Sequence, residues 1–293
     1  MTIIYSKISG LNGGIDMVID IINIISSLAT EIIVMAVLTT LIFIKSRLYF
    51  IYRVWYYLFS FLCNKKYVLV WMDDTVVNEQ ALISQLQTDL PNFIIKSILN
   101  PMDMLKYPKS CKIVNNIFLV DTDVTKLANT EKDREKLQKH ILAYVKNGGI
   151  LVGTHDIIYR RVRNLLLQAA YGCQITNFVL VDGLLTYKIN QNFYTHPLVR
   201  DLPHSFEIDD GELCWGDWKA GAQEIASCII DGNEYPVIMV RKYEKGILIW
   251  MNTGDQKISQ CNAISRLDAN FIKLLLNSII HASEIKSYAY SEC

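Results

Sequence analysis

The sequence predicts an α/β protein built on a doubly wound, mostly parallel sheet, with an antiparallel C-terminal extension and an N-terminal transmembrane helix in front. Three observations carry that prediction. Residues 32–44, IIVMAVLTTLIFI, form a run with no charge. The short apolar runs KYVLVW (66–71), NIFLV (116–120) and GILVGT (149–154) each lead toward a segment of helical spacing. Beyond residue 224, three strand-like runs follow one another with only tight turns between them.

The first fifth of the chain points to a membrane. A spanning helix needs about 20 mostly apolar residues, and residues 19–44 supply them at the cost of Asp20 and Glu31. A charge at the bilayer centre costs roughly 3 kcal/mol on insertion scales. Glu31 therefore belongs near an interface or inside a bundle, and Asp20, Ser26, Ser27 and Thr30 predict helix-to-helix contacts that make the chain a homo-oligomer. The first fourteen residues carry only Lys7, unlike the basic start of a signal peptide. Lys45, Arg47, Arg53, Lys65 and Lys66 all follow the span. The positive-inside rule then places the N-terminus outside and the main domain in the cytoplasm. Residues 45–65 read as a basic and aromatic juxtamembrane segment: residues 48–63 have the composition of an interfacial belt or of a helix lying in the plane of the membrane lipid headgroups, a second span is the alternative, and one long helix leaving the bilayer is the preferred reading.

Composition removes several classes. Lys plus Arg and Asp plus Glu both number 29, and no basic stripe occurs outside the juxtamembrane segment, so nucleic acid is not an expected partner. The seven cysteines (63, 111, 173, 214, 228, 261 and 293) form no CxxC and have no His-rich partner spacing. That pattern fits reduced thiols and argues against structural zinc; no metal and no cofactor is assigned, and a metal at Asp73, Asp74 or Asp121 enters only with an enzyme reading. No phosphate-cradling or dinucleotide glycine motif is found.

Residues 66–283 suit one domain, with 1–18 a leading segment and 284–293 a mobile tail. After the first strand, Val77 to Leu90 has helical spacing and stops before Pro91; Phe93 to Leu99 reads as a strand. Thr130 followed by Asp133 resembles a capping box for a helix to Lys146, and Asn147-Gly148-Gly149 ends it. Asp156 is expected to cap a helix over 157–170. Strands are predicted over 224–230, 235–243 and 246–251, and a closing helix over 270–281. Ligands in doubly wound sheets bind outside the carboxyl ends of the strands. Those ends are Asp73 and Asp74, Asp121 and Asp123, and Thr154, His155 and Asp156.

The runs LQKHILAYVKNGGILVGTH, THPLVRDLPHSFEIDDGELCW and YPVIMVRKYEKGILIWMNTGD resemble the trehalose-utilisation ThuA-like family within the class I glutamine amidotransferase-like fold. The matching phrases are Gly148-Gly149, Gly153 with His155, His196-Pro197, Leu202-Pro203 with Phe206, Asp209-Asp210-Gly211-Glu212, Lys245-Gly246 and Gly254-Asp255, over about residues 66–283. The resemblance implies a flavodoxin-like sheet. It also exposes departures. A glutaminase of this fold carries Cys at the strand-to-helix elbow, where this chain reads Val152-Gly153-Thr154-His155-Asp156. The family's late His-Pro-Glu is replaced by Asn252-Thr253-Gly254-Asp255.

The candidate ligand-binding residues are therefore His155, Thr154, Asp73, Asp74, Asp121, His196 and Asp255. The acidic residues Asp209, Asp210 and Glu212 form a loop that can reach the crevice, with a solvated loop the preferred reading, and Cys173 is read as a buried thiol. No catalytic residue is assigned. The leading expectation is a membrane-anchored sensor or effector, of the bacterial defence or stress kind, that binds a small polar ligand such as a sugar or nucleotide. The alternatives are a hydrolase or sugar-modifying enzyme using His155 with nearby carboxylates, and an inactive membrane scaffold.

Overall fold

The structure is a computed structural model that describes residues 2–73, 79–120, 126–181, 184–253 and 268–291. It divides into two compact units, Met1–Tyr52 and Arg53–Cys293. The first unit is the N-terminal part of helix α1 (Thr2–Cys63). Among the described residues no helix is long and apolar enough to cross a membrane, so the expected spanning segment over 19–44 is not supported there. The side chains that are described along it, including Ile32, Ile33, Val34, Met35, Val37, Phe43 and Ile44, are about half exposed or more.

The second unit is the α/β domain. Strands β1 (Lys66–Met72), β2 (Phe93–Ser97), β3 (Val114–Val120), β4 (Ile150–Thr154), β6 (Leu184–Ile189), β7 (Ser205–Asp209), β9 (Ala222–Ile230), β10 (Asn233–Tyr243) and β11 (Gly246–Met251) form one sheet in the order β2-β1-β3-β4-β11-β10-β9-β6-β7. Pairings from β2 through β11 are parallel, and those from β11 to β7 are antiparallel. Strands β5 (Ile175–Leu180) and β8 (Glu212–Gly216) pair separately. The parallel core and the antiparallel extension match expectation, while β5 to β8 had no clear signal.

The continuous apolar runs exist because the central strands are covered on both faces. Every residue of β3, β4 and β11 is buried. Side chains alternate across a strand: Val68, Val70 and Met72 join the core formed with helices α2 (Glu79–Asp89), α5 (Ala269–Ile280) and α6 (Ala282–Ser291). Leu69 and Trp71 then point to the opposite face. Fully burying each such side chain stabilises the domain by about 1.5–3 kcal/mol. Two buried asparagines on β3 satisfy the last carbonyls of α5, which a helix end otherwise leaves unpaired. Asn115 Nδ2 donates to Ile279 O at 3.0 Å and Asn116 Nδ2 to Ser278 O at 3.0 Å.

Helix α3 (Glu131–Lys146) starts as the sequence predicts, with Thr130 Oγ1 accepting from Asp133 N at 3.1 Å. It ends at Gly148, whose φ of +91° suits glycine. The Lys245-Gly246 phrase also acquires a physical meaning. A Cβ on Gly246 would lie 2.1 Å from Val145 O and 2.3 Å from Gly149 O, so the β10–β11 turn can pass the end of α3 only as glycine.

Two expectations fail. The helix over 157–170 is instead a 3-10 turn, His155–Ile158, followed by a short α4 (Leu165–Tyr171), because the chain is extended at Tyr159 and takes φ +58° at Arg163, inside the expected span. The tail after Ala282 is helix α6, whose Ile285 and Ala289 sit in the core.

Candidate functional site

Strand β4 delivers His155 to the sheet's carboxyl edge, and its positive φ turns the imidazole inward. A buried, non-glycine residue in that region is strained and needs fixed surroundings to persist. Trp250, the neighbour of Gly153 on β11, supplies one restraint: its Nε1–H donates to His155 O at 3.2 Å.

Strand β8 brings the other half. Residues two apart on a strand share a face, and Glu212 and Cys214 both reach His155. Cys214 Sγ lies 3.0 Å from His155 Nε2 and 3.4 Å from Glu212 Oε1, and Glu212 Oε1 lies 3.8 Å from the same Nε2. On the far side of the ring, Asp156 Oδ1 is 3.2 Å from Nδ1. Asn252, just past β11, fixes β8: its Oδ1 accepts from Cys214 N at 2.7 Å and its Nδ2 donates to Glu212 O at 2.9 Å. His155, Asp156, Asp210, Cys214 and Asn252 are buried, and the Glu212 side chain is 17% exposed.

The electrostatics form one proton chain. Burial pushes the Cys214 thiol up to about 12, with Glu212 and Asp156 adding to the rise against the pull of His155. Burial alone would lower His155, yet its sulfur and carboxylate neighbours hold it well above the usual histidine value. Cys214 on one ring nitrogen and Asp156 on the other both favour the protonated imidazole. In the protonated ring Nδ1–H faces Asp156 and Nε2–H faces the sulfur, and the thiol donates to Glu212 Oε1.

The sequence-derived candidates divide. Thr154 is buried beside the cluster at the end of β4. Asp73 is buried at the end of β1, two strands away across β3, or about 10 Å at normal strand spacing. Asp74, Asp121 and Asp255 lie outside the described residues. His196 stands elsewhere: its Nδ1 accepts from Leu198 N at 3.2 Å, and its ring packs against Phe193 and Tyr288. Two expectations need correction. The acidic stretch is not a solvated loop, since Asp210 is buried and Glu212 joins His155. Asp156 orients an imidazole and caps no α-helix. Cys173 is a buried thiol as expected, pushed up to about 12 by burial and by Asp217.

Cys214 and Asn252 were missed. The usable signal was the Glu-x-Cys spacing in a strand directly after the acidic phrase; no spacing joins it to a histidine 59 residues earlier. A cavity of about 590 Å³ along Leu184, Thr186, Phe206 and Glu207 shares no residue with the cluster, and Asp268 on its wall caps α5.

A parallel core continued by antiparallel strands is a fold that this chain shares with solved ThuA-like proteins. Among solved structures, the chain is similar to a ThuA-like protein from Parabacteroides merdae, at 14% identity and TM-score 0.55, over 75% of this chain and 90% of that one. It is likewise similar to a cytoplasmic protein from Salmonella typhimurium, at 12% identity and TM-score 0.53, over 73% and 98%. At such identities the likeness is one of fold alone. No protein-family model matches the sequence, and no curated protein matches it.

Proposed function

We propose that this chain is a membrane-held domain that binds a small polar ligand, of the sugar or nucleotide kind, at the His155 cluster. Occupancy would be passed to the N-terminal helix through oligomerisation, as suits an effector of bacterial defence or stress. The observation that carries the reading is the convergence of His155, Asp156, Glu212 and Cys214 at the carboxyl end of β4, where sheets of this kind take their ligands. Attachment to lipid is supported by the exposed apolar side chains of α1 between Ile32 and Ile44. Lys45 and Arg47 beyond them support a cytoplasmic domain.

Native mass spectrometry of the full chain in detergent tests this. A small molecule retained by the wild type and lost in His155→Ala is expected. An empty wild type, purified from cells in which the protein is active, would sink the reading and favour a scaffold.

A second reading, hydrolysis with His155 as general acid, is favoured by the Asp156 contact, which orients the ring as an acid–base pair requires. A ligand held by Asp156→Asn but turned over only by wild type would select it.

A further inference from the structure

We propose that His155, Cys214 and Glu212 bind a divalent transition metal, with zinc the best match. This deepens the ligand-binding reading and rests on the same cluster. The three atoms facing one another are an imidazole nitrogen, a sulfur and a carboxylate oxygen, and all lie within 4.8 Å of each other. One His, one Cys and one carboxylate is a borderline-soft donor set that suits zinc better than calcium or magnesium.

The geometry accommodates the ion with little movement. Atoms 3.0, 3.4 and 3.8 Å apart share a point about 2.0 Å from each. A tetrahedral ion stands roughly 0.7 Å off such a plane, toward its fourth ligand, which sets it about 2.1 Å from all three. Zinc distances are about 2.0–2.2 Å to nitrogen and oxygen and about 2.3 Å to sulfur. Only the sulfur has to withdraw, by about 0.2 Å. The ion would take the place of the two protons that bridge these atoms, one on Nε2 and one on the thiol.

The surroundings are those of a metal-binding histidine. Such a residue donates its other ring N–H to a carboxylate, which fixes tautomer and orientation, and Asp156 stands 3.2 Å from His155 Nδ1. The Asn252 side chain pins the backbone of both Glu212 and Cys214. Three protein ligands leave a fourth position for water or a polar ligand. Glu212 is the partly exposed member of the set, so that position and the way in lie on its side.

Full-length protein in detergent, stripped with chelator and titrated with Co²⁺, gives a readout independent of activity. One equivalent should bind with a tetrahedral visible spectrum and a thiolate-to-cobalt charge-transfer band, and Zn²⁺ should displace it. Cys214→Ser should lose the charge-transfer band, and Asp156→Ala should weaken binding by about 10–100-fold. His196→Asn, outside the cluster, should leave the titration unchanged. Wild type that binds no cobalt, or a band that persists in Cys214→Ser and so comes from another thiol such as exposed Cys63, would overturn the proposal. A small molecule retained by protein that binds no cobalt would overturn the metal alone and leave the ligand reading standing. Stoichiometric cobalt with no retained molecule would do the reverse.

Discussion

His155 and His196 are both closed off from solvent, yet their surroundings move their protons in opposite directions. His155 has Asp156 on one nitrogen and Cys214 with Glu212 on the other, and its imidazolium is favoured despite burial. His196 meets Phe193, Tyr288 and one backbone N–H, and burial lowers it to about 4. Its Nε2 is buried with no hydrogen-bond partner among the described residues. Burial alone thus says little about function. What the second ring nitrogen faces separates a histidine whose charge is favoured from one that caps a turn.

The largest test of that contrast is acid stability. Unfolded, His196 takes a proton near pH 6.5; folded, it waits until about pH 4. Between those values only the unfolded chain binds the proton, so stability falls as pH drops through the window and levels off below it. The shift corresponds to about 3 kcal/mol. Urea unfolding of His196→Asn, which keeps a cap for Leu198 N, should lose that part of the acid limb. His140, lowered to about 3 by burial and by Lys109 and Arg53, should contribute a further part of that limb. An unchanged limb in the variant would break the comparison.

Asn252→Ala comes next. It leaves Cys214 N without its acceptor and removes the donor to Glu212 O, at a cost of about 1–3 kcal/mol for the unpaired buried groups. Thermal unfolding reads that loss; a neutral result would mean that the His155 side is less rigid than its contacts imply. The smallest effect belongs to Glu284, whose exposed carboxylate meets Arg200 and His281. Glu284→Gln should leave the midpoint unmoved, because exposed ion pairs contribute little.

The sheet was legible because its strands are apolar on both faces and its first helix after β3 carries its own cap. The site was half legible. His155 is local information, placed by the Gly-x-His ending of β4. Its partners come from β8 and the end of β11, and strand pairing across such distances leaves no local trace. Asp210 and Glu212 read as solvated because acidic residues usually are. The elbow helix failed for a related reason: Tyr159 and Arg160 pair with Ile175 of β5 and Arg163 turns left-handed, and that pairing leaves no mark in the local spacing.

The C-terminal helix has a consequence for hydration. Tyr288 of α6 stacks edge-on over His196 at 4.7 Å, and Ile285 anchors the same helix in the core. Cutting the chain before Ala282 would wet that imidazole and return its proton affinity toward that of free histidine. The ring would then serve as a built-in reporter, by its chemical shift, of whether the last helix is docked.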